Sequence, residues 1–337
     1  MVWEYERPIV VAPMAGGPTT PALVTAAAAA GGVGFLAAGY KPPDAVAQEV
    51  AQLRASRLPY GLNIFVPSPR PPDVAALEDY RGALRPEAER YGVDVPPLRL
   101  DDDDHFAAKV DIAAGAAVPL VSFTFGVPPD AMVSALRRAG CTVLVTVTNA
   151  AEARRAITCG PDALIAQAGS AGAHSATTSP AGYDGSSTAP EVVREVVAAV
   201  DLPVIAAGGT GTAADVRRAL AAGALAVQAG TAFLLADEAG TRAVHRAALR
   251  SGRFTETVVT RAFTGQPARG LANRFTGAYS EIAPIGYPAV HHLTAPIRAA
   301  AARQGDPEAL NLWAGTAHAD ARPGPAAEIL RRLSGDG

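Results

Sequence analysis

Short apolar runs alternate along the chain with longer, alanine-rich amphipathic runs. The apolar runs are rich in Val, Ile and Phe and are bounded by Gly, Pro or Asn, which is typical of strands buried on both faces of a sheet. This pattern predicts strands over Pro8–Met14, Val33–Gly39, Tyr60–Phe65, Leu120–Gly126, Thr142–Thr148, Ala163–Ala168, Pro203–Gly209 and Ala226–Thr231. It predicts helices over Pro21–Ala30, Asp44–Ser56, Pro72–Arg90, Pro129–Ala139, Ala150–Cys159, Pro190–Val200 and Ala213–Ala222.

Strict alternation of eight strands with helices predicts an α/β protein with a closed parallel (β/α)₈ TIM barrel; an open doubly wound sheet is the alternative. We expect helix over Phe233–Arg253, an irregular stretch over Asp94–Ala117, and a helix over Leu293–Gln304 that closes the barrel. Residues 1–231 and 286–337 are therefore predicted to form the barrel. Residues 232–285 are predicted to form a small substrate-side insert of helix and loop over its C-terminal mouth.

Composition and net charge argue against nucleic-acid and membrane partners. The chain has 337 residues, 49% of them hydrophobic, and a formal net charge of −3, whereas nucleic-acid and membrane partners favour a strongly basic surface. Cys141 and Cys159 are expected to be buried structural thiols. With no basic and apolar leader at the N-terminus, we expect a cytoplasmic protein. The acidic run Asp101–Asp104 with His105 is interpreted as a solvated loop, because its spacing does not match a metal loop, and no metal is predicted.

Two glycine-rich turns follow the last two predicted strands, at Gly208–Thr212 and Gly230-Thr231. Glycine lets backbone N–H groups approach a phosphate, and a helix beginning near Ala213 would add its positive N-terminal end. Barrels usually hold phosphate at this place, although the glycines could instead only make the turns. Gly31–Gly34 precedes a strand and so lacks the context of a dinucleotide fingerprint. The turns therefore predict a bound mononucleotide.

An ordered set of motifs spanning nearly the whole chain resembles the nitronate monooxygenases, formerly called 2-nitropropane dioxygenases, and in particular the first class of that family. The motifs lie at Val11–Gly17, Ala37–Lys41, Gly61–Phe65, Ser122–Gly126, Ala166-Gln167, Ala171–His174, Pro203–Gly209, Val227–Leu234, Phe263–Gly265, Ala268–Gly270, Tyr287-Pro288 and Leu312–Gly315. The resemblance implies a barrel flavoprotein that binds FMN at its mouth.

The resemblance also implies the cofactor contacts. Backbone around Ala12, Pro13, Met14 and Ala15 would line the isoalloxazine face. The remaining contacts would be Asn63, Gln167, Gly172, Gly208, Gly209, Gln228, Ala229, Gly230 and Thr231. Asn63 and Gln167 lie at the ends of predicted strands and point into the mouth, where their amides can pair with the polar edge of a flavin. The alternative for each amide is that it caps a loop.

His174 is the predicted catalytic residue. It lies among small residues in the long loop Gly169–Thr188, whereas His245 lies in a helical run and His291-His292 begin the last predicted helix. The resemblance implies oxidation of an alkyl nitronate, such as propionate-3-nitronate, with O₂ reoxidising the flavin. His174 would either hydrogen-bond the nitronate oxygens or remove the α-proton of a nitroalkane. Tyr40, Lys41 and Tyr287 are predicted to line the substrate side, Lys41 suiting an anionic substrate.

Three positions depart from the family pattern: Ser170 stands where an acidic residue is usual, Gln266 where a basic one is, and Thr316 where an amide is. Other functions therefore stay open. They are an FMN-dependent enoyl-thioester reductase using NAD(P)H, a related FMN oxidoreductase of specialised metabolism, a phosphate-binding isomerase or aldolase without flavin, and a flavin-binding protein without activity. The sequence indicates no oligomeric state.

Overall fold

The computed structural model of the chain describes residues 5–67 and 73–336. Within these residues, strands β1 to β11 span Ile9–Val11, Val33–Ala37, Tyr60–Phe65, Leu120–Thr124, Thr142–Val147, Ala163–Gln167, Ala173–His174, Val204–Ala207, Ala226–Ala229, Thr257–Thr260 and Ala268–Leu271. Helices α1 to α13 span Pro21–Ala29, Pro43–Ser56, Val74–Ala83, Arg85–Arg90, Phe106–Gly115, Asp130–Arg138, Ala150–Ala156, Ala189–Ala199, Ala213–Ala221, Ala243–Arg250, Arg274–Tyr279, Ala289–Arg303 and Ala326–Ser334.

Eight of the strands form a closed parallel barrel in the order β1-β2-β3-β4-β5-β6-β8-β9. The barrel closes where Ile9 of β1 pairs with Val227 of β9. This confirms the predicted TIM barrel. Each predicted strand except Tyr60–Phe65 extends beyond the observed one, because the chain leaves the ladder at the carboxyl end to form the loops of the mouth.

Apolar side chains fill both faces of the barrel wall. Val10, Phe35, Leu144 and Ile165 lie in a cluster inside the barrel. Gly61 on β3 makes room for this packing, since a Cβ atom there would stand 2.3 Å from the ring of Phe35. A larger cluster fills the space between the strands and the outer helices. Burial on both faces explains why the strands read as continuous apolar runs.

The helix that closes the barrel is α13, and the prediction that Leu293–Gln304 does so is wrong. Ile329, Leu330 and Leu333 of α13 are buried in the outer cluster, and α13 packs against α1, α9 and β1. Helix α12, which contains most of Leu293–Gln304, instead buries Leu293 and Ile297 in a separate cluster. Both helices have an apolar face, so periodicity alone does not tell which one returns to the first strand.

That separate cluster, which we call the second core, lies outside the barrel wall. It combines α3 and α4 with residues from 248 to 314, including Leu77, Phe263, Phe275, Leu293 and Leu312. Strands β10 and β11 pair beside it and extend to β7, a short strand of the loop that follows β6. Through the pairing of β11 with β7, the second core therefore contacts the loop that carries His174.

Three predicted boundaries differ from the structure. The stretch Asp94–Ala117 contains helix α5, and the predicted helix Phe233–Arg253 begins only at α10 after a single 3₁₀ turn at Thr231–Phe233. The predicted helix Pro72–Arg90 is split into α3 and α4 at Leu84, and Pro72 itself lies outside the described residues. Across the described chain, no helix has the length and apolar character that a membrane crossing requires.

Candidate active site

A cavity of about 470 Å³ lies where the carboxyl ends of the barrel strands meet the second core. His174 lines this cavity together with every residue predicted to contact FMN, which are Ala12, Pro13, Met14, Ala15, Asn63, Gln167, Gly172, Gly208, Gly209, Gln228, Ala229, Gly230 and Thr231. The glycine turns and the histidine thus face one space at one end of the barrel. This convergence is the geometric condition on which the functional interpretation of the sequence depends.

The backbone of the His174 loop is held by pairing with the second core. In β7, His174 pairs with Ala268 and Ala173 with Arg269 of β11. The guanidinium of Arg269 donates to the carbonyl oxygens of Gly169 and Gly185 at 2.7 Å each, so it binds both limbs of the loop. A strand ladder and a charged donor therefore hold this loop of small residues in place.

The imidazole of His174 lies in an aromatic and largely apolar surround. Its ring centroid is 5.5 Å from those of Phe125 and Tyr287 and 5.7 Å from that of Trp313. Its Nε2 atom is 2.9 Å from Oγ1 of Thr264. Burial, and secondarily the charge of Arg298, lowers the pKa of His174 to about 3, so the ring is neutral at neutral pH.

The glycine turn at Gly208-Gly209 adopts a conformation suited to a close backbone approach. Gly208 and Gly209 have φ values of 115° and 64°, which L side chains rarely adopt. The first turn of α9 is less open to an anion than the sequence suggests. The carboxylate of Asp215 accepts from the backbone N–H groups of Gly211 and Thr212, and this negative charge offsets the helix terminus.

The two predicted amides are already engaged by the protein. Gln167 donates through Nε2 to the carbonyl of His174 at 3.0 Å and accepts at Oε1 from the N–H of Ala176 at 2.6 Å. Asn63 donates through Nδ2 to the hydroxyls of Ser122 and Thr124. Gln167 thus caps the loop that carries His174 while lining the cavity, and such capping was the alternative considered for it.

The lining suits a flavin nucleotide in two respects. The buried Oε1 atom of Gln228 has no hydrogen-bond partner among the described residues, so it is available to a ligand N–H group. The described residues of the lining include two arginines but no carboxylate, which favours an anionic ligand.

The three residues predicted to line the substrate side lie in different places. Tyr40 lines the cavity and stacks on His291 with ring centroids 4.2 Å apart. Tyr287 stands behind the lining against His174 and beside the hydroxyl of Tyr40. Lys41 does not line the cavity, because its Nζ atom forms an ion pair with Glu49 at 2.6 Å.

Several cavity residues were not singled out from the sequence. His245 and His291 were set aside as helical, yet both line the cavity, and burial lowers their pKa values to about 4 and about 2. Arg298 and Thr264 also reach it. A single sequence gives little indication of these residues, since they come from the second core and meet the barrel only through tertiary packing.

The three departures from the family pattern lie in two places. Gln266 donates through Nε2 to the carbonyls of Ser175 and Thr177 and so braces the His174 loop. Ser170 packs behind the glycine turn, where a Cβ atom on Gly209 would stand 2.9 Å from its hydroxyl. Thr316 is on the same side of Gly209.

The acidic run is only partly the solvated loop that we predicted. Asp102 accepts from Nε2 of His292 at 2.7 Å, and Asp104 pairs with the buried Lys109 at 2.7 Å and accepts from the N–H of Tyr40. The described residues contain no cluster of three or more His, Cys, Asp or Glu side chains that could hold a metal ion. Cys141 and Cys159 are buried, as predicted.

The (β/α)₈ barrel, its glycine-turned cavity and the neutral histidine facing that cavity fit a flavin-dependent oxidoreductase, and the match to a family of such enzymes assigns the chain to this class. The sequence profile described as nitronate monooxygenase matches residues 2–336. The chain therefore belongs to the nitronate monooxygenase family.

The relatives agree with this assignment. A probable nitronate monooxygenase of Staphylococcus saprophyticus is 34% identical over 321 residues, covering 93% of this chain and 89% of the relative. A probable nitronate monooxygenase of Staphylococcus aureus is 33% identical, covering 98% and 94%. The crystal structure of nitroalkane oxidase from Streptomyces ansochromogenes has a TM-score of 0.92 at 43% identity, covering 98% of this chain and 95% of that one. FabK from Thermotoga maritima has a TM-score of 0.75 at 26% identity, covering 98% and 92%.

Proposed function

We propose that this enzyme binds FMN and oxidises alkyl nitronates of the propionate-3-nitronate type, with O₂ as the electron acceptor. The observation that carries the proposal is the placement of a neutral His174 in the same cavity as the two glycine turns. The likeness to nitroalkane oxidase supports a nitro-type substrate.

In this proposal the glycine turns at Gly208-Gly209 and Gly230-Thr231 hold the FMN phosphate through their backbone N–H groups. Gln228 offers its unpartnered Oε1 atom to a polar edge of the ring system. Bound FMN would supply the capacity to accept electrons from the substrate and pass them to O₂. The backbone from Ala12 to Ala15 contributes an apolar wall.

We further propose that His174 acts through its neutral form. The hydroxyl of Thr264 donates its single proton to the carbonyl of Gln266, which leaves its oxygen to accept from Nε2–H of His174. The lone pair then resides on Nδ1, which favours removal of an α-proton from a nitroalkane. A nitroalkane that carries a carboxylate would raise the pKa of the ring and strengthen it as a base.

Replacement of His174 tests this proposal. We expect His174→Asn to retain bound flavin but to lose most flavin reduction when mixed anaerobically with nitroethane, whose α-proton must be removed. The control is His105→Asn, which removes an exposed histidine of the acidic run. Wild-type flavin reduction in His174→Asn would remove this residue from the mechanism, and a purified protein without a flavin absorbance band would refute the cofactor assignment.

A second candidate is an FMN-dependent enoyl-thioester reductase that uses NAD(P)H, and the likeness to FabK favours it. Anaerobic bleaching of the flavin by NADH or NADPH, with no response to nitronates, would select this function over nitronate oxidation. We also propose that residues 232–285 form part of the substrate side, since α10, β10 and β11 lie in this range.

A further inference from the structure

Arg298 is a buried cation that faces the cavity without a carboxylate partner. Its side chain is 7% exposed and lines the cavity. The guanidinium donates through Nε to Oγ1 of Thr294 at 3.1 Å and through Nη2 to the carbonyl of His291 at 2.9 Å. These neutral acceptors orient the guanidinium group but do not neutralise its charge. A buried charge without a counter-ion is costly.

The acids nearest to this region are engaged elsewhere. Asp104 forms its ion pair with Lys109, and Asp102 accepts from His292. No aspartate or glutamate lines the cavity within the described part of the chain, whereas Arg242 adds a second, exposed cation at the cavity wall. Burial, with Arg242 as a smaller cause, lowers the pKa of Arg298 to about 10, so the guanidinium still carries its charge at neutral pH.

Arg298 is connected to His174 through a short series of side chains. Nη2 of Arg298 is 3.2 Å from Nδ1 of His291, and the His291 ring stacks on Tyr40. The Tyr40 hydroxyl interacts with Tyr287, whose ring contacts His174. His174 and Arg298 also line the same cavity, and the charge of Arg298 acts on the pKa of His174, so a ligand that reacts beside His174 has Arg298 in the same space. The glycine turns proposed for the FMN phosphate follow β8 and β9, whereas Tyr40 follows β2.

We propose that Arg298 binds a carboxylate of the substrate and selects nitronates that carry a carboxylate at the end remote from the reacting carbon. This inference rests on the proposed function for the reaction itself. Nη1 of Arg298 has no hydrogen-bond partner among the described residues, so it can donate to a carboxylate, and binding supplies the counter-ion that the protein lacks. The anion-recognition role expected of Lys41 from the sequence thus falls to a residue of the second core.

The kinetic test compares propionate-3-nitronate with propyl-1-nitronate, which lacks the carboxylate. We expect Arg298→Gln to lower the ratio of the two kcat/KM values by about 10- to 100-fold, in line with the loss of a charged hydrogen-bonded pair. Arg298→Lys keeps the positive charge but loses the guanidinium group, so its ratio should lie between those of the parent enzyme and Arg298→Gln. The matched control is Arg303→Gln, which removes an exposed arginine from the same helix. An unchanged ratio in Arg298→Gln would overturn the proposal.

A binding measurement separates this inference from the proposed function. Succinate, a dicarboxylate that cannot be oxidised at a nitro carbon, is titrated calorimetrically into the flavin-loaded protein, and inorganic phosphate is titrated in parallel. We expect at least tenfold weaker succinate binding in Arg298→Gln than in Arg303→Gln, and little competition by phosphate. If no nitronate is oxidised but succinate binding depends on Arg298, the proposed reaction fails and the carboxylate site stands. If nitronates are oxidised but succinate binds both variants equally, the carboxylate site fails alone. Arg298→Lys and the flavin content of each variant reveal any misfolding.

Discussion

At the scale of single residues, the chemistry of the site depends on which ring nitrogen of His174 carries the proton. We propose that Thr264 makes this choice, because its oxygen lies 2.9 Å from Nε2 and its hydroxyl faces the carbonyl of Gln266 at 3.3 Å. A hydrogen bond to one imidazole nitrogen fixes the tautomer and leaves the other nitrogen for chemistry. Thr264 is therefore a positioning residue that acts through His174.

We expect Thr264→Val to lower kcat for a nitroalkane about tenfold, because the ring loses its acceptor and its fixed tautomer. Thr264→Ser keeps the hydroxyl and should restore most of the rate. Steady-state kinetics across a pH range, with flavin content measured on each variant, checks this. A Thr264→Ser variant as impaired as Thr264→Val would indicate a packing role for the methyl group rather than a role for the hydroxyl.

At the scale of elements, the loop after β6 is fixed by neighbours on both sides. The second core contributes β11 and Gln266, and the barrel contributes Glu152 from α7. Glu152 is 4% exposed, and its carboxylate accepts from the N–H groups of Thr148 and Thr178 at 2.7 Å each. It thereby links the end of β5 to the loop that carries His174.

Replacing Glu152 with Gln turns one of the two accepting oxygen atoms of the carboxylate into an NH₂ donor. That donor then faces a backbone N–H donor. We expect a loss of about 1–3 kcal/mol in the free energy of unfolding, together with faster amide hydrogen exchange at Thr177 and Thr178. Glu256→Gln is the matched control, because Glu256 is exposed. Urea unfolding and exchange measured by mass spectrometry test this. Equal exchange in the two variants would show that the strand pairing alone holds the loop.

The barrel elements could be predicted from the sequence because burial on both faces makes each strand a continuous apolar run. The closing helix could not, since α12 and α13 are both amphipathic and only tertiary packing distinguishes them. Prediction of the site residues had the same limit, because sequence patterns do not show which residues tertiary packing brings together. Glycine turns such as Gly208-Gly209 are visible locally, whereas Arg298 becomes part of the site only because the second core folds over the barrel mouth.

At the scale of the whole molecule, the joining of barrel and second core encloses His174, His245 and His291 together. Burial is the first cause that lowers each pKa, to about 3, about 4 and about 2 respectively. In the unfolded chain these groups titrate near an ordinary value of about 6.5. The unfolded state therefore binds more protons than the folded state below that pH, so stability is retained above pH 6.5 and falls as the pH decreases.

We expect the free energy of unfolding, measured with urea at a fixed flavin excess, to decline steadily between pH 6.5 and about 4.5, before the carboxylates titrate. Each such histidine contributes a slope approaching about 1.4 kcal/mol per pH unit. His291→Phe keeps a ring to stack on Tyr40 but removes one titrating group, so its slope should be smaller by about one proton. His105→Gln, which removes an exposed histidine, is the matched control. A His291→Phe slope equal to that of the parent protein would mean that this ring protonates freely in the folded state and that the cavity does not exclude charge there.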